Sequence, residues 1–234
     1  MNSRIEVVAI DCLMVRLFDA IAEDNMPWML AASRRLCEGF DAHLIDLVPS
    51  YTTLMVHYDL MRLDPQQARE IIVNALHDLS PEAARGGRQH VLPVWYDLSV
   101  GPELTSLSQR SGLPVGEVIK RHSQREYQVF ALGFAPGFAF MGLVEEALAA
   151  PRIKTPRKRV AAGSVGIAER QTAAYPLESP GGWNILGRTP ARLFDREIDG
   201  YSLMQPGDTV RFAAIDHDEF IRLGGDDTPL EALA

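Results

Sequence analysis

The sequence predicts an α+β protein of two successive domains, and three observations carry that prediction. The first 80 residues alternate pairs of strands with amphipathic helices, a run nearly free of apolar side chains follows at Ser80–Gln89, and beyond Val160 every segment is short, β-like and bounded by Gly or Pro. At 234 residues there is room for two such domains, and 47% hydrophobic with 23% charged residues is the composition of a folded globular chain.

In the first domain Arg4–Ala9 and Leu13–Phe18 are rich in β-branched and apolar residues, with Asp11 as the turn between them. A helix is predicted from Asp24 to Gly39, with Asp24 or Asn25 as N-cap, Pro27 in the first turn and Gly39 as terminator. Leu44–Val48 and Thr53–Tyr58 follow as strands, broken by Pro49-Ser50. In the second helix Asp64 caps, Pro65 takes the first position, and Ala68, Ile71, Ile72, Ala75, Leu76 and Leu79 line one face. Two helices able to cover one face of a small antiparallel sheet suggest an α/β sandwich of ferredoxin-like type, assigned to residues 1–80. Two adjacent glycines and the polar composition make residues 81–89 a linker.

The second domain is assigned to residues 90–220, with residues 221–234 as a C-terminal tail. Val91–Tyr96 and Tyr127–Phe134 read as strands, and Pro102–Gln109 and Pro114–His122 as short helices between them. Ser164–Ala168, Thr172–Tyr175, Trp183–Leu186, Ala191–Phe194 and Thr209–Ala213 read as further short strands. Many short strands with Gly/Pro turns indicate a sandwich or barrel with two small helices attached.

The net charge of −8 argues against non-specific binding to nucleic acid or anionic membrane, against which the basic run Arg152–Arg159 stands out. Cys12 and Cys37, in no metal-type spacing, are expected to be free thiols in a reducing compartment. An acidic residue interrupts the N-terminal apolar run and no segment approaches membrane-spanning length, so a cytoplasmic location is expected. None of the six histidines stands with a carboxylate at a two- or four-residue spacing that would suggest a metal site, and no metal site is expected.

Function is sought between Glu126 and Asp195, where Gly, Pro and aromatic residues are densest. Aromatics on tight loops are costly unless they pack together or line a cleft. Phe134 is expected to fill the core, whereas Phe138, after Pro136-Gly137, fits a cleft wall equally well; Tyr175 and Trp183 are candidates for either role. Gly182-x-x-x-x-Gly187-Arg188-Thr189 nearly matches a phosphate-cradling loop, but Arg replaces the required Lys and Trp183–Leu186 belongs in a strand. Ser164 lies one residue short of a GxSxG elbow. His122 is a candidate for acid/base or substrate contact, or else a helix-end cation. Arg157, its backbone restrained by Pro156, is either aimed at a carboxylate or phosphate or part of a solvated basic loop.

The ordered set Gly101-Pro102-Glu103-Leu104, His122-Ser123, Leu132-Gly133-Phe134-x-Pro136-Gly137-Phe138, Thr155-Pro156-Arg157, Ala162-Gly163-Ser164-Val165, Gln171-Thr172, Tyr175-Pro176-Leu177, Ser179-Pro180-Gly181-Gly182-Trp183 and Pro206-Gly207-Asp208 resembles the family that includes the 5-oxoprolinase B subunit, KipI and allophanate hydrolase subunit 1. The chain departs from the family pattern at Phe140, where a tyrosine is usual. The resemblance implies a ferredoxin-like domain followed by a cyclophilin-like β-barrel. It also implies a partner resembling the 5-oxoprolinase C subunit or allophanate hydrolase subunit 2, sometimes with a third subunit. The implied activity is opening of the 5-oxoproline lactam to glutamate at the expense of ATP, with Mg, by an assembly in which this chain is a non-autonomous subunit; a KipI-like inhibitor of a sensor histidine kinase and an allophanate hydrolase-type subunit are the alternatives. A lactam is a poor electrophile, and phosphorylating its oxygen would make the carbon attackable. On that chemistry Arg157 and Arg188 are expected to meet phosphate charge, and Gln171, Ser164 and the amides of Gly181-Gly182 the substrate carboxylate. The remaining motif residues, His122, Phe134, Pro136, Gly137, Phe138, Tyr175, Pro180 and Trp183, are expected to contact substrate or partner.

Overall fold

The structure, a computed structural model, describes residues 3–81 and 87–231, and the chain divides into two compact units at Gly87/Arg88. Most of the expected linker, residues 82–86, lies outside the described residues. Its C-terminal end is corrected: Gln89 already opens a strand, and the Arg88 amide donates to Asp208 Oδ1 at 2.8 Å.

The first unit runs β1 (Arg4–Ala9), β2 (Cys12–Arg16), α1 (Met26–Phe40), β3 (Leu44–Pro49), β4 (Thr53–Tyr58) and α2 (Pro65–Leu76). Its four strands form one antiparallel sheet in the order β1-β2-β4-β3. β2 and β3 both pair antiparallel with β4 and are therefore parallel to each other, so β2–α1–β3 is a split β-α-β unit with β4 between its strands. The path ββαββα differs from the β-α-β-β-α-β path of a ferredoxin-like domain, in which a strand follows the last helix. Alternation along β2 and β4 buries Leu13, Val15, Leu54, Val56 and Tyr58 on one face, against which α1 packs.

The second helix has the capping box that its sequence announces: Asp64 Oδ1 accepts from the amides of Gln66 and Gln67, and Gln67 Oε1 accepts from the Asp64 amide. The expectation for Gly39 is corrected. It lies inside α1, where an added Cβ would stand 3.2 Å from Ile71 of α2, so its small size lets the two helices approach.

The second unit comprises β5 (Gln89–Trp95), α3 (Leu104–Ser111), α4 (Val115–Gln124), β6 (Glu126–Leu132), β7 (Ala139–Gly142), β8 (Arg157–Val160), β9 (Ser164–Ala168), β10 (Gln171–Ala174), β11 (Ser179–Gly181), β12 (Asn184–Arg188), β13 (Thr209–Ile215) and α5 (His217–Arg222). Seven strands close a barrel in the order β10-β7-β6-β13-β5-β12-β9, and β8 and β11 form a separate two-stranded sheet. The barrel interior is filled by Leu92, Val94, Val129, Met141, Val165, Ile167, Leu186, Val210 and Phe212. A second apolar layer, Phe138, Val160, Ala168, Ala173, Tyr175, Trp183 and Ile185, packs as a distinct cluster. Successive residues of β9 and β10 divide between the two, Ile167 and Ala174 going to the first, Ala168 and Ala173 to the second, which is the period-2 alternation of a strand.

Two further expectations change. Ala191–Phe194 is not a strand; only Phe194 bridges, to Ser202, where the chain turns back on itself with the Asp195 amide donating to Tyr201 O and the Leu203 amide to Leu193 O. The C-terminal segment is not a separate tail: Asp226–Glu231 lies along this unit, with the Leu230 amide donating to Ser99 O at 2.8 Å. Residues 232–234 lie outside the described residues, among which no helix is long and apolar enough to cross a membrane.

Candidate binding site in the barrel unit

Between β6 and β7 the chain turns sharply. The Gly133 amide donates to Phe138 O at 3.1 Å and the Phe138 amide to Ala135 O at 3.0 Å, closing a loop that forces Phe134 into the left-handed region at φ 72. That conformation is rare for an aromatic residue and is held here by the loop closure. Phe134 is thus no core residue, as its strand-like neighbourhood suggested; it is 65% exposed, with its ring nearly perpendicular to those of Phe138 and Tyr175. Gly137 takes φ 82 in the same loop, where a Cβ would press on Leu193 O and Phe194 at 2.8 Å, while Pro136 is exposed.

Phe138 is the hub of the cluster this turn creates. Its ring lies 4.9 Å from Phe140, 5.2 Å from Phe134, 5.3 Å from Tyr175 and 5.7 Å from Trp183, each in edge-to-face orientation. Together with Arg152, Pro156, Pro180, Gly181 and Gly182 these rings line a cleft of about 230 Å³. Gly181 is required there, because any Cβ would collide with the Tyr175 hydroxyl. Seven of the residues singled out from sequence converge on this cleft: Phe134, Phe138, Tyr175, Pro180, Gly181, Gly182 and Trp183. Arg152 and Phe140 join them without having been singled out. The basic run and the Phe140 departure drew attention to their neighbourhood, but only the fold turns them toward one another.

Among the described residues the cleft wall has no nucleophile and no base. Its single titratable side chain besides Arg152 is Tyr175, whose phenol burial pushes up to about 12, so it stays protonated and can donate a hydrogen bond. Arg152 is exposed and makes no ion pair among the described residues, which leaves its fork open to an anion at the cleft.

The other candidates stand elsewhere. Arg157 is buried and grips the buried Glu103 at two points, 2.7 and 3.1 Å, while Glu103 Oε2 also accepts from the Ile185 amide at 2.9 Å. Its fork is engaged within the protein, which corrects both the substrate-facing and the solvated-loop expectation. Arg188, also buried, donates from one terminal nitrogen to Asp226 O at 2.6 Å and Thr228 O at 2.8 Å. Burial holds its pKa below the usual guanidinium range. Ser164 is its register partner across β9 and β12 and is fully buried. Gln171 sits on β10 opposite Ala168 and Gly142, outside the cleft wall. Arg157 and Arg188 instead border a second, open groove of about 770 Å³ under residues 226–231.

His122 is corrected most fully. It is 0% exposed in α4, with its ring stacked at 4.8 Å on Phe212. Thr172 donates its hydroxyl proton to Gly166 O at 3.1 Å, so it accepts from His122 Nε2–H at 2.9 Å, and Nδ1 accepts from the Tyr96 hydroxyl at 2.8 Å. Burial lowers its pKa to about 3, and a neutral ring bonded at both nitrogens is neither a helix-end cation nor a group within a substrate's reach.

The family described as carboxyltransferase domain, subdomain C and D, matches residues 3–204. The B subunit of 5-oxoprolinase from Escherichia coli O157:H7 is 46% identical over 209 residues, 86% of this chain and 94% of that protein. The B subunit of 5-oxoprolinase from Bacillus subtilis (strain 168) is 33% identical over 227 residues, 93% and 95% of the two chains. Among solved structures, the crystal structure of TTHA0988 superposes with a TM-score of 0.76 at 36% identity over 88% of this chain, which spans 40% of that longer chain.

Proposed function

Because this chain belongs to the family of carboxyltransferase domains, subdomain C and D, and within it groups with the B subunits of 5-oxoprolinase, we propose that it is the B subunit of an ATP-dependent assembly hydrolysing 5-oxoproline to glutamate. The observation that carries the reading is the aromatic cleft. It has the size of a small ring compound, a tyrosine hydroxyl that stays protonated, and an open arginine beside it, but no group that could attack or deprotonate. Such a site binds and orients. The lactam ring packs among Phe138, Phe140, Tyr175 and Trp183, the carboxylate meets Arg152, and the partner supplies the catalytic groups.

The phosphate-loop match does not fit a nucleotide. Most of the near match to a phosphate loop at Gly182–Thr189 is β12, paired with β9 and buried, and one terminal nitrogen of Arg188 is taken up by backbone carbonyls. We assign ATP to another subunit, and no step through it to this chain. The partner is of the 5-oxoprolinase C type, and the two units are read as ferredoxin-like, on the split β2–α1–β3 unit, and cyclophilin-like, on the closed barrel. The cytoplasm is the compartment consistent with two free thiols.

One observation favours a KipI-like kinase-binding role as the second reading: the exposed Phe134 ring at the cleft lip resembles a protein contact more than a small-molecule wall. Co-expression with a C-type partner and a third subunit, followed by assay of ATP-dependent glutamate release from 5-oxoproline, separates the two. Activity confined to the assembly supports the oxoprolinase role. A chain that joins no complex and supports no turnover, yet blocks autophosphorylation of a histidine kinase, would establish the alternative.

A further inference from the structure

We propose that Asp11, Cys12 and His57 form a binding site for one divalent zinc ion in the first unit, independent of the oxoprolinase assignment. The absence of metal-type spacing in the sequence does not reach this cluster, because His57 lies 46 residues from Asp11 along the chain and meets Asp11 and Cys12 through the sheet. Cys12 on β2 and His57 on β4 are register partners, so their side chains leave the same face of the sheet, opposite the face that buries Leu13 and Val56. Asp11 sits in the β1–β2 turn, where its carbonyl accepts from the Tyr58 amide at 3.0 Å and the Tyr58 hydroxyl donates to Ile10 O at 3.1 Å. These two bonds pin the turn to β4 before any ligand arrives.

The three donor atoms, a thiol sulfur, an imidazole nitrogen and a carboxylate oxygen, all lie within 4.8 Å of one another. In a tetrahedral zinc site with Zn–S near 2.3 Å and Zn–N near 2.0 Å, neighbouring donors are roughly 3.3–3.8 Å apart. Side-chain rotation closes that gap without moving a strand. A thiolate and an imidazole select zinc over magnesium or calcium, which take oxygen donors. The side chains of His57 and Asp11 are 31% and 34% exposed, so an ion has a path in and water has room for the fourth position. At present His57 Nε2 faces Asp11 Oδ2 at 3.1 Å. On binding, the Cys12 thiol loses its proton to solvent, the imidazole proton moves to Nδ1, and Nε2, the thiolate and the carboxylate turn to the metal. The ion would clip the β1–β2 turn to the central strand β4.

The test uses the full chain stripped of metal with a chelator, titrated with zinc against a chromophoric competitor and with cobalt by absorption spectroscopy. One ion per chain is expected, with a thiolate-to-cobalt charge-transfer band. Cys12→Ser should abolish that band and weaken zinc binding by about 100-fold or more, since losing a ligand costs at least as much as losing a group that orients one. His57→Gln and Asp11→Asn should each weaken it by about tenfold or more on the same scale, and Cys37→Ser should change nothing. If Cys12→Ser fails to fold by circular dichroism, the His57 and Asp11 variants decide the matter. No binding at micromolar zinc, a cobalt complex without the band, or affinity that follows Cys37 would each overturn the proposal.

Discussion

Arg157 holds Glu103 through both terminal nitrogens, at 2.7 and 3.1 Å, with the two side chains only 4% and 11% exposed. Glu103 precedes α3, Arg157 opens β8, and the Ile185 amide of β12 bonds the same carboxylate, so one ion pair ties three elements together. Removing a single partner leaves a buried charge without compensation. Arg157→Ala should therefore destabilise the second unit by about 3–5 kcal/mol, and Arg157→Lys by less because the charge survives while the fork is lost. Arg159→Ala breaks only an exposed pair with Glu178 and should cost at most about 1 kcal/mol. Urea denaturation of the three variants checks this; equal losses for Arg157 and Arg159 would remove Glu103–Arg157 from the core.

His122 makes a prediction about acid. Its folded pKa, about 3, lies below the usual unfolded value near 6.5, so the neutral ring contributes stability that is fully present above about pH 6.5 and is lost as pH falls toward 3. Within that window this residue alone should remove up to about 1.4 kcal/mol per pH unit. His122→Gln should lower stability at neutral pH, through lost packing on Phe212, yet flatten the decline between pH 6 and 4. Parallel slopes for the two proteins in that interval would show that carboxylates, and not His122, govern the acid limb.

The same histidine marks how far sequence could lead. Local features were legible because they depend on neighbours in the chain: the Asp64 capping box, the amphipathic face of α2, the strands at Thr53–Tyr58 and Ser164–Ala168, and the rejection of a phosphate loop at Gly182. Ring composition around Phe138 left core and cleft wall equally open, and the rings pack as a buried cluster that also borders the cleft. What sequence could not supply was burial set by distant partners. A histidine at a helix end looks like a solvated cation until Phe212 and Thr172 are seen to enclose it, and an arginine after Thr155-Pro156 looks available until Glu103, 54 residues away, is found in its fork. Phe134 was misplaced for a related reason: a strand signal running from Tyr127 gives no sign that loop closure will turn residue 134 outward.

Residues 226–231 yield a third prediction. The carbonyls of Asp226 and Thr228 accept from Arg188, and that of Glu231 accepts from Arg157 Nε at 3.3 Å, so truncation after Gly225 strips acceptors from two buried guanidiniums. Hydrogen bonds to charged groups contribute about 1.5–3 kcal/mol each, and the truncated chain should melt at a clearly lower temperature. Arg188→Met in the truncated chain should recover part of the loss, because the unsatisfied charge is gone. Strictly additive losses in the double variant would mean that the segment and Arg188 do not act on each other.

The last prediction bears on the proposed substrate contact. Arg152 is exposed at an aromatic cleft and makes no ion pair among the described residues, whereas Arg157 and Arg159 of the same basic run are held by Glu103 and Glu178. A substrate carboxylate entering the cleft therefore meets one open guanidinium. In the reconstituted assembly Arg152→Ala should raise KM for 5-oxoproline about tenfold, equivalent to about 1.4 kcal/mol of binding, while kcat changes little, because the contact is made equally in ground and transition states. Arg152→Lys should fall between, keeping charge without the two-point fork. Phe138→Ala should also raise KM, but with a loss of about 3–5 kcal/mol in stability, since that ring packs against four others. An unchanged KM in Arg152→Ala, alongside a raised one in Phe138→Ala, would keep the cleft as the binding site and move the carboxylate contact to the partner protein.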